Sequence, residues 1–359
     1  MSTTTSHRVA RPSSRLTYVG PNWFAAVMGT GIVANAASTL PVGGAGLDLL
    51  ARVMWVFATI LLLALIMVTA RHWVVARDVA RGHLDHPVMA HFYGAPAMAL
   101  MTVGAGALLV GDDVIGLRAA IVLSATLWTV ASAAGLWTAW VIPRRMRRHR
   151  AAYTGPAFGG WLMPVVPPMV SAATGPLLVP HLPPGARPVM LAVCAAMFAA
   201  ALVASAPVLA TIARRVVRGE LGAPATIPTL FIVLGPLGQS VTAAHAIGDD
   251  AGGAWPVAAA GYGLPVIALA LAWLLVVVAI TTRAARGGIP FSLTWWSFTF
   301  PVGTVVTGLS GLAAQTGSTV LAAAAVGLFA VLVVAWSMVA MLTARGVLTG
   351  VLLRAPQTA

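Results

Sequence analysis

The hydrophobic positions of this chain form ten long runs, none with a charged residue in its interior. Each run is long enough for a helix to cross the hydrocarbon layer of a bilayer, which takes about 20 residues. They are too long and too uniformly apolar for barrel strands, so they predict an all-α polytopic membrane protein with ten transmembrane helices. The runs cover approximately residues 19–39, 53–71, 88–110, 118–142, 154–178, 189–213, 225–247, 256–282, 290–313 and 318–343.

Charged residues lie in the gaps between the runs, and the sign of the charge alternates from gap to gap. All 21 basic residues are Arg, and 18 of them fall in the two tails or in gaps that follow even-numbered runs. Only Arg52, Arg118 and Arg187 fall in the other gaps. Because positive charge favours the cytoplasmic side, this asymmetry predicts that both termini are cytoplasmic. The predicted domains are a cytoplasmic N-terminal tail at 1–18, a ten-helix transmembrane domain at 19–343 and a cytoplasmic C-terminal tail at 344–359.

Composition narrows the class of protein further. Hydrophobic residues make up 59% of the chain and charged residues only 8%, whereas soluble domains are about a quarter charged. The net charge of +13 follows the gaps rather than one face, so no nucleic acid partner is expected. A single cysteine, Cys194, and the isolated pair His83 and His86 give no metal site and imply no cofactor. The use of Arg without Lys, together with abundant Ala and Gly, suggests a multi-pass protein of a bacterial inner membrane.

Proline and glycine are concentrated in the odd-numbered runs. Each of these runs opens at proline and meets a second interruption about 8 to 11 residues later. Interior proline kinks a helix, and irregular backbone is tolerated at membrane depth where it lines a cavity. The pattern predicts five helical hairpins, with an inner ring of five kinked odd helices around a central pore. The openings are Pro21, Pro87, Pro156, Pro224 with Pro228, and Pro290. The interruptions are Gly29-Thr30-Gly31, Pro96, Pro164 with Pro167 and Pro168, Gly235-Pro236, and Pro301.

Such a pore favours small anions weakly. Broken helices expose N–H groups and positive dipole ends at the bilayer centre, while no Arg lies inside to bind an anion tightly. Polar residues of the odd runs supply candidate contacts, although each could instead form a hydrogen bond within the bundle. The candidate contacts and pore-lining residues are Gly29, Thr30, Gly31, Pro96, Pro164, Pro236, Gln239, Ser240, Pro301, Thr304 and Thr307.

Two histidines in the odd runs leave a second mechanism open. Histidine as a residue type titrates near neutral pH, so His91 and His245 could couple transport to protons, or they could be ordinary interfacial residues. A proton-coupled carrier therefore remains an alternative to a channel. An intramembrane enzyme is a remote alternative, because no Ser-His-Asp set or pair of carboxylates falls at one membrane depth.

Five motifs resemble those of the tellurite-resistance/dicarboxylate transporter family, which includes malate permeases, sulfite pumps and slow anion channels. They are spread over nearly the whole chain outside the two tails. The motifs are Pro21-Asn22-Trp23-Phe24 with Val27-Met28-Gly29-Thr30-Gly31-Ile32, His86-Pro87 with Phe92, Gly94, Pro96 and Met98, Trp161-Leu162-Met163-Pro164 with Pro167 and Ala172, Gly235-Pro236-Leu237-Gly238-Gln239-Ser240, and Trp295-Trp296-Ser297-Phe298-Thr299-Phe300-Pro301.

The resemblance implies a ten-helix protomer with a quasi-five-fold pore, assembled as a homotrimer. It also implies a phenylalanine that occludes the pore, which in this sequence is Phe300. Because Phe300 precedes Pro301, its backbone is driven away from regular helix, and this supports the same position. The anion stays open among malate and other C4-dicarboxylates, sulfite, chloride and nitrate.

Overall fold

The computed structural model describes residues 19–148 and 157–353, and every regular element in these ranges is helical. The all-α prediction is therefore confirmed. Residues 1–18, 149–156 and 354–359 lie outside the described residues, and they include Pro156, the whole predicted N-terminal tail and part of the C-terminal one. The α-helices are α1 (Phe24–Thr39), α2 (Ala45–Val75), α3 (Arg77–Gly82), α4 (Gly94–Gly106), α5 (Asp112–Ile115), α6 (Leu117–Arg148), α7 (Pro167–Thr174), α8 (Arg187–Val217), α9 (Leu234–Ala251), α10 (Trp255–Arg286), α11 (Phe300–Thr316) and α12 (Thr319–Leu348).

Short helices of other types adjoin these α-helices. A π-helical turn at Ala107–Gly111 joins α4 to α5. The 3₁₀ helices are Pro21–Trp23, Met89–Tyr93, Gly159–Leu162, Gly175–His181, Pro184–Ala186, Pro224–Val233, Leu293–Phe298 and Val351–Leu353.

Eight helical stretches of the described part are long and apolar enough to cross a membrane, and their burial divides them into two groups. In the most apolar part of Met89–Ile115, Pro224–Ala251 and Leu293–Thr316, between 61% and 83% of the residues are buried. The corresponding share is only 22% to 28% in the other five. Those five are Ala45–Val75, Leu117–Arg148, Pro184–Val217, Trp255–Arg286 and Thr319–Leu348.

The shorter helices α1 and α7, from the first and fifth predicted runs, are also mostly buried. Helix α1 contacts α4, α4 contacts α7, α7 contacts α9, α9 contacts α11, and α11 contacts α1. These five buried helices thus form a closed ring of contacts. Each long exposed helix packs against the buried helix before it in the chain: α2 on α1, α6 on α4, α8 on α7, α10 on α9 and α12 on α11.

The predicted interruption at Gly29-Thr30-Gly31 is wrong, because α1 continues without a break from Phe24 to Thr39. The glycines there permit close packing instead. A Cβ atom on Gly29 would lie 2.5 Å from Cε3 of Trp296. A Cβ atom on Gly31 would lie 2.7 Å from Cγ2 of Thr102.

In the third, seventh and ninth runs the irregularity is a change of helix type. The 3₁₀ helices end at Tyr93, Val233 and Phe298, and α-helix begins at Gly94, Leu234 and Phe300. Pro96, Pro236 and Pro301 each fall in the first turn of the α-helix, where a missing N–H costs nothing. The prolines therefore mark where α-helix starts rather than a kink within it.

Candidate functional site

A cavity of about 30 Å³ lies inside the ring, where the 3₁₀ helices give way to α-helix. We call it the central cavity. All five buried segments contribute to its wall, and none of the described residues that line it is charged. A single water needs roughly 10–15 Å³, so this space is closed to a hydrated ion. The large side chains around it are Met28, Phe92, Met98, Met163, Ile232, Leu293, Trp296 and Phe300.

Phe300 is the first residue of α11 and is only 4% exposed. The preceding residue, Thr299, has φ −105° and ψ −77°, which breaks the helix between Phe298 and Phe300. Pro301 follows in the first turn and lines the same cavity. The break places the Phe300 ring in the cavity wall, where the sequence predicted an occluding side chain.

A second cavity, of about 490 Å³, lies toward the C-terminal ends of the same five segments. We call it the vestibule. Its wall is much more polar than that of the central cavity, and its titratable residues are all on α9. The polar residues that line it are Asn35, Thr39, Thr174, Gln239, Thr242, His245, Asp249, Asp250, Thr307 and Ser310.

The two cavities follow one another along each helix at helical spacing. On α1, Met28 lines the central cavity, and Ile32 and Asn35 line the vestibule. On α11, Phe300 lies two turns before Thr307. Residues three, four or seven apart share one face of a helix, so a single face of each helix borders both cavities. The cavities therefore lie in line within the ring.

Several predicted residues lie between helices rather than at a cavity wall. Thr30 Oγ donates to the carbonyl of Ala26 at 2.7 Å and accepts from Trp336 Nε1 at 3.1 Å. Ser240 donates to the carbonyl of Leu237 at 2.8 Å. These hydroxyls are satisfied within the bundle, as the alternative interpretation of each residue allowed.

Thr304 links two helices of the ring, because its hydroxyl lies 2.6 Å from the carbonyl of Pro301 and 3.2 Å from that of Leu234. Pro164 accepts a hydrogen bond from Thr138 at 3.2 Å. It also lines a groove of about 640 Å³ that lies outside the ring, between α6 and α8. Both residues thus contact other helices rather than the axis.

The two histidines have different surroundings. His91 is fully buried, stacked on Trp161 at 5.9 Å and edge-to-face with Phe158 at 5.3 Å. His245 lines the vestibule, and its Nε2 lies 3.3 Å from a carboxylate oxygen of Asp249. Of the two, His245 is the one that the structure brings to a cavity.

Titratable groups also gather outside the membrane-length helices, in the segment between α2 and α4. Burial lowers the pKa of His83, and the neighbouring His72 and His86 lower it further. Asp85 of the same segment forms an ion pair with Arg145. Charge therefore lies at the ends of the segments and not around the central cavity.

Sequence reasoning missed the methionines of the central cavity and the vestibule residues Asn35, Thr242 and Ser310. Several of the vestibule residues could have been found by counting three or four positions along the helix from residues that the sequence had already indicated. Thr242 is three residues after Gln239, and Ser310 is three after Thr307. Positions three and four apart share a helix face, and that face was already marked by Gln239 on α9.

A sequence profile of the voltage-dependent anion channel family, SLAC1, matches residues 18–344. The sulfite efflux pump of Arthroderma otae is 26% identical over 340 residues, covering 90% of this chain and 89% of that protein. The sulfite efflux pump of Trichophyton rubrum is 25% identical over 313 residues, covering 83% and 82%. An uncharacterized transporter of Methanocaldococcus jannaschii is 24% identical over 296 residues, covering 80% and 81%. The profile includes every segment that lines the two cavities, and the chain belongs to the voltage-dependent anion channel family.

Proposed function

We propose that the protein carries small anions across the membrane along the axis of the ring. The observation that supports this most directly is the pair of cavities in line, each walled by all five buried segments. The central cavity is uncharged, so nothing there would hold an anion tightly. Family membership and relatives named as pumps and transporters support transport rather than catalysis.

The proposed topology has ten spans in five hairpins, with the odd spans as an inner ring around the pore. The closed ring of contacts and the greater burial of the odd segments support it. The Arg distribution supports a transmembrane domain at 19–343 whose N-terminal and C-terminal tails are both cytoplasmic. We also propose that the protein is a homotrimer, on the basis of the family resemblance. Its location in a bacterial inner membrane is proposed from its composition.

Phe300 is the proposed gate of this path. Its ring is nearly inaccessible, lies in the wall of the central cavity and is held at a break in the helix. Gln239 and Pro301 are proposed to line the path with it, since both border the cavities. Removing the ring should widen the closed part of the path.

Sulfite is the anion that the relatives support best, because two of them are named sulfite efflux pumps. We therefore propose sulfite export as the physiological role. Malate, chloride and nitrate are further candidates, supported by the sequence motifs and by the uncharged wall.

A proton-coupled carrier is the second candidate. The observation that favours it is His245, whose imidazole borders the vestibule beside Asp249. Histidine side chains commonly act as proton carriers in coupled transport. Accumulation of anion driven by a pH gradient would favour this mechanism over a channel.

The deciding experiment compares purified wild type and Phe300→Ala in proteoliposomes, with chloride, nitrate, sulfite and malate. Phe329→Ala is the matched control, since Phe329 is also buried but belongs to the exposed helix α12. We expect Phe300→Ala to raise anion current at least tenfold, the effect of lowering a barrier by about 1.4 kcal/mol. The control should resemble wild type.

The ranking of the four anions would then identify the preferred substrate. Equal currents in all three proteins would refute Phe300 as the gate. If no variant passes current but the wild type accumulates sulfite under a pH gradient, the protein is a coupled carrier and not a channel.

A further inference from the structure

The groove of about 640 Å³ between α6 and α8 lies on the outside of the ring, and we call it the outer groove. Both helices pack against α7, and the stretch of chain just before α7 forms the floor. Most of the wall is apolar: α6 contributes Ala139, Pro143 and Met146, and α8 contributes Ala204 and Pro207. Its volume falls in the range of about 300–1,000 Å³ typical of sites that hold small molecules. The wall therefore suits an occupant that is largely hydrocarbon.

One end of the outer groove is positively charged. Arg147 belongs to the wall and is exposed, and its Nε lies 3.4 Å from the carbonyl of Pro143, a long hydrogen bond. No carboxylate of the described residues forms an ion pair with Arg147, whereas the nearby Arg145 pairs with Asp85. The guanidinium of Arg147 can thus bind an anionic group at this end of the groove.

Helix α8 brings a second arginine to the same end. Arg214 lies seven residues after Pro207, and residues seven apart share one face of a helix. Arg214 is also exposed, and within the described part of the chain no carboxylate pairs with it. The face of α8 that borders the outer groove therefore continues into positive charge, as the face of α6 does.

An occupant that matches this groove is apolar along most of its length and anionic at one end. A phospholipid whose headgroup carries a net negative charge has this form, and basic pockets between transmembrane helices bind such headgroups. A second copy of the chain fits less well, because it would have to bring an acidic residue to the Arg-rich side. Three acidic residues are predicted there, Asp78, Asp85 and Glu220. Of these, Asp85 and Glu220 already pair with arginines of their own chain.

The floor of the outer groove is also part of the wall of the central cavity. The chain forms a turn between the 3₁₀ helix Gly159–Leu162 and α7. In this turn Pro164 and Val165 line the outer groove. Their neighbours Met163 and Val166 line the central cavity. An occupant of the groove would therefore contact the same short piece of backbone that positions the cavity wall.

We propose that the outer groove binds an anionic phospholipid, with its phosphate at Arg147 and an acyl chain along Pro143, Pro207 and Trp161. The bound lipid supports the turn at the floor and holds it against the ring, which keeps the central cavity narrow. This supporting role rests on the proposed function, because it concerns the path of the anion. The binding itself does not.

The first experiment measures the phospholipid that the purified full-length protein retains from micelles containing equal amounts of phosphatidylglycerol and phosphatidylcholine. Native mass spectrometry reports both the retained lipid and the number of chains. Wild type should retain phosphatidylglycerol in preference to phosphatidylcholine. Arg147→Gln should weaken the retention of phosphatidylglycerol about fivefold, as expected for one arginine near an anionic headgroup, and leave phosphatidylcholine unchanged.

Arg283→Gln is the matched control for charge. Arg283 lies in the last turn of α10, so it is exposed at the Arg-rich end of its helix but belongs to a helix that does not line the groove. This variant should retain both lipids as wild type does. Equal retention of the two lipids by wild type, or equal losses in the Arg147 and Arg283 variants, would overturn the site.

A second pair of variants tests the apolar part of the groove. Ala204→Phe fills it and should reduce the retention of both lipids. Ala206→Phe is the control, because Ala206 is exposed on a different face of α8. A change in the number of chains in Ala204→Phe, with retained lipid unchanged, would show instead that the groove is a contact between copies and would refute the lipid site.

The supporting role is tested by chloride flux in vesicles of each lipid. In phosphatidylglycerol, Arg147→Gln should conduct about twofold faster than Arg283→Gln, and in phosphatidylcholine the two should be equal. Comparing these two variants cancels the effect of surface charge on the anion. Equal flux in phosphatidylglycerol would refute the supporting role. If wild type passes no anion in either lipid, the proposed function fails, and the retention measurements still decide whether the groove binds lipid.

Discussion

The central cavity and the vestibule are walled by the same five segments but differ in almost every other respect. One has a volume of about 30 Å³ and a wall of methionine and aromatic side chains. The other has about 490 Å³ and a wall in which hydroxyl, amide and titratable groups alternate with apolar residues. The change occurs within about two turns of each helix. If the proposed path is right, its closure belongs to the central cavity and its contacts with the anion to the vestibule, so each cavity should respond to its own substitutions.

The largest effect is expected at the contact between Gly238 of α9 and Thr304 of α11, because both of these helices line both cavities. A Cβ atom at Gly238 would lie 2.5 Å from the carbonyl carbon of Thr304, which is backbone and cannot give way easily. We expect Gly238→Ala to lower the free energy of unfolding by about 1–3 kcal/mol and to reduce transport. Thermal unfolding followed by tryptophan fluorescence measures the first effect.

Gly327→Ala is the control for this substitution. Gly327 lies in α12, and nothing lies within 4 Å of an added Cβ atom. Alanine forms helix more readily than glycine, so this variant should be neutral or more stable by up to about 1 kcal/mol. Equal destabilisation in both variants would show that the contact between α9 and α11 has no special role.

A moderate effect is expected from the methionines of the central cavity. Met98→Ala removes a side chain that is 1% exposed and should widen only the closed level. We expect chloride flux to rise roughly threefold, which corresponds to a barrier lowered by about 0.7 kcal/mol. Selectivity between hydrogensulfite and nitrate should not change, and both are measured in one flux assay.

Met54→Ala on α2 is the appropriate comparison, because Met54 is similarly buried but lines neither cavity. A change of selectivity in Met98→Ala would contradict the separation of closure from recognition. A rise of flux in Met54→Ala would mean that loosening any part of the bundle opens the path.

The smallest effect is expected at the vestibule wall. Asp249→Asn removes a partly exposed negative charge and should raise anion flux about twofold at low ionic strength, with little effect at high salt. Asp48→Asn, in the first turn of α2, is the control. Flux that rises equally at all salt concentrations would indicate an effect of the lost contact with His245 rather than of charge.

Sequence alone predicted the helical class and the family, and the family is confirmed over residues 18–344. Of the ten predicted spans, eight are found as helical stretches of membrane length among the described residues. These features depend on long apolar runs and on family motifs that occur in the expected order, and both are visible in the amino-acid sequence itself. Phe300, Gln239, Pro301 and His245 lie at the cavities, although their roles stay predictions.

Other features depend on contacts that the sequence does not state. The glycines of α1 accommodate Trp296 and Thr102, which belong to distant parts of the chain. The choice between 3₁₀ and α-helix shifts each hydrogen bond by one residue and leaves hydrophobicity unchanged. The hydroxyls of Thr30 and Thr304 find their partners only once the helices have packed.

The 3₁₀ helix before Phe300 would change in both length and twist if it converted to α-helix. Its residues each rise about 2.0 Å and turn about 120°, against about 1.5 Å and 100° in an α-helix. Winding the six residues of Leu293–Phe298 into α-helix would rotate Phe300 by about 120° and draw it about 3 Å along the axis. A local exchange of hydrogen bonds would therefore change the position of the ring without any helix tilting.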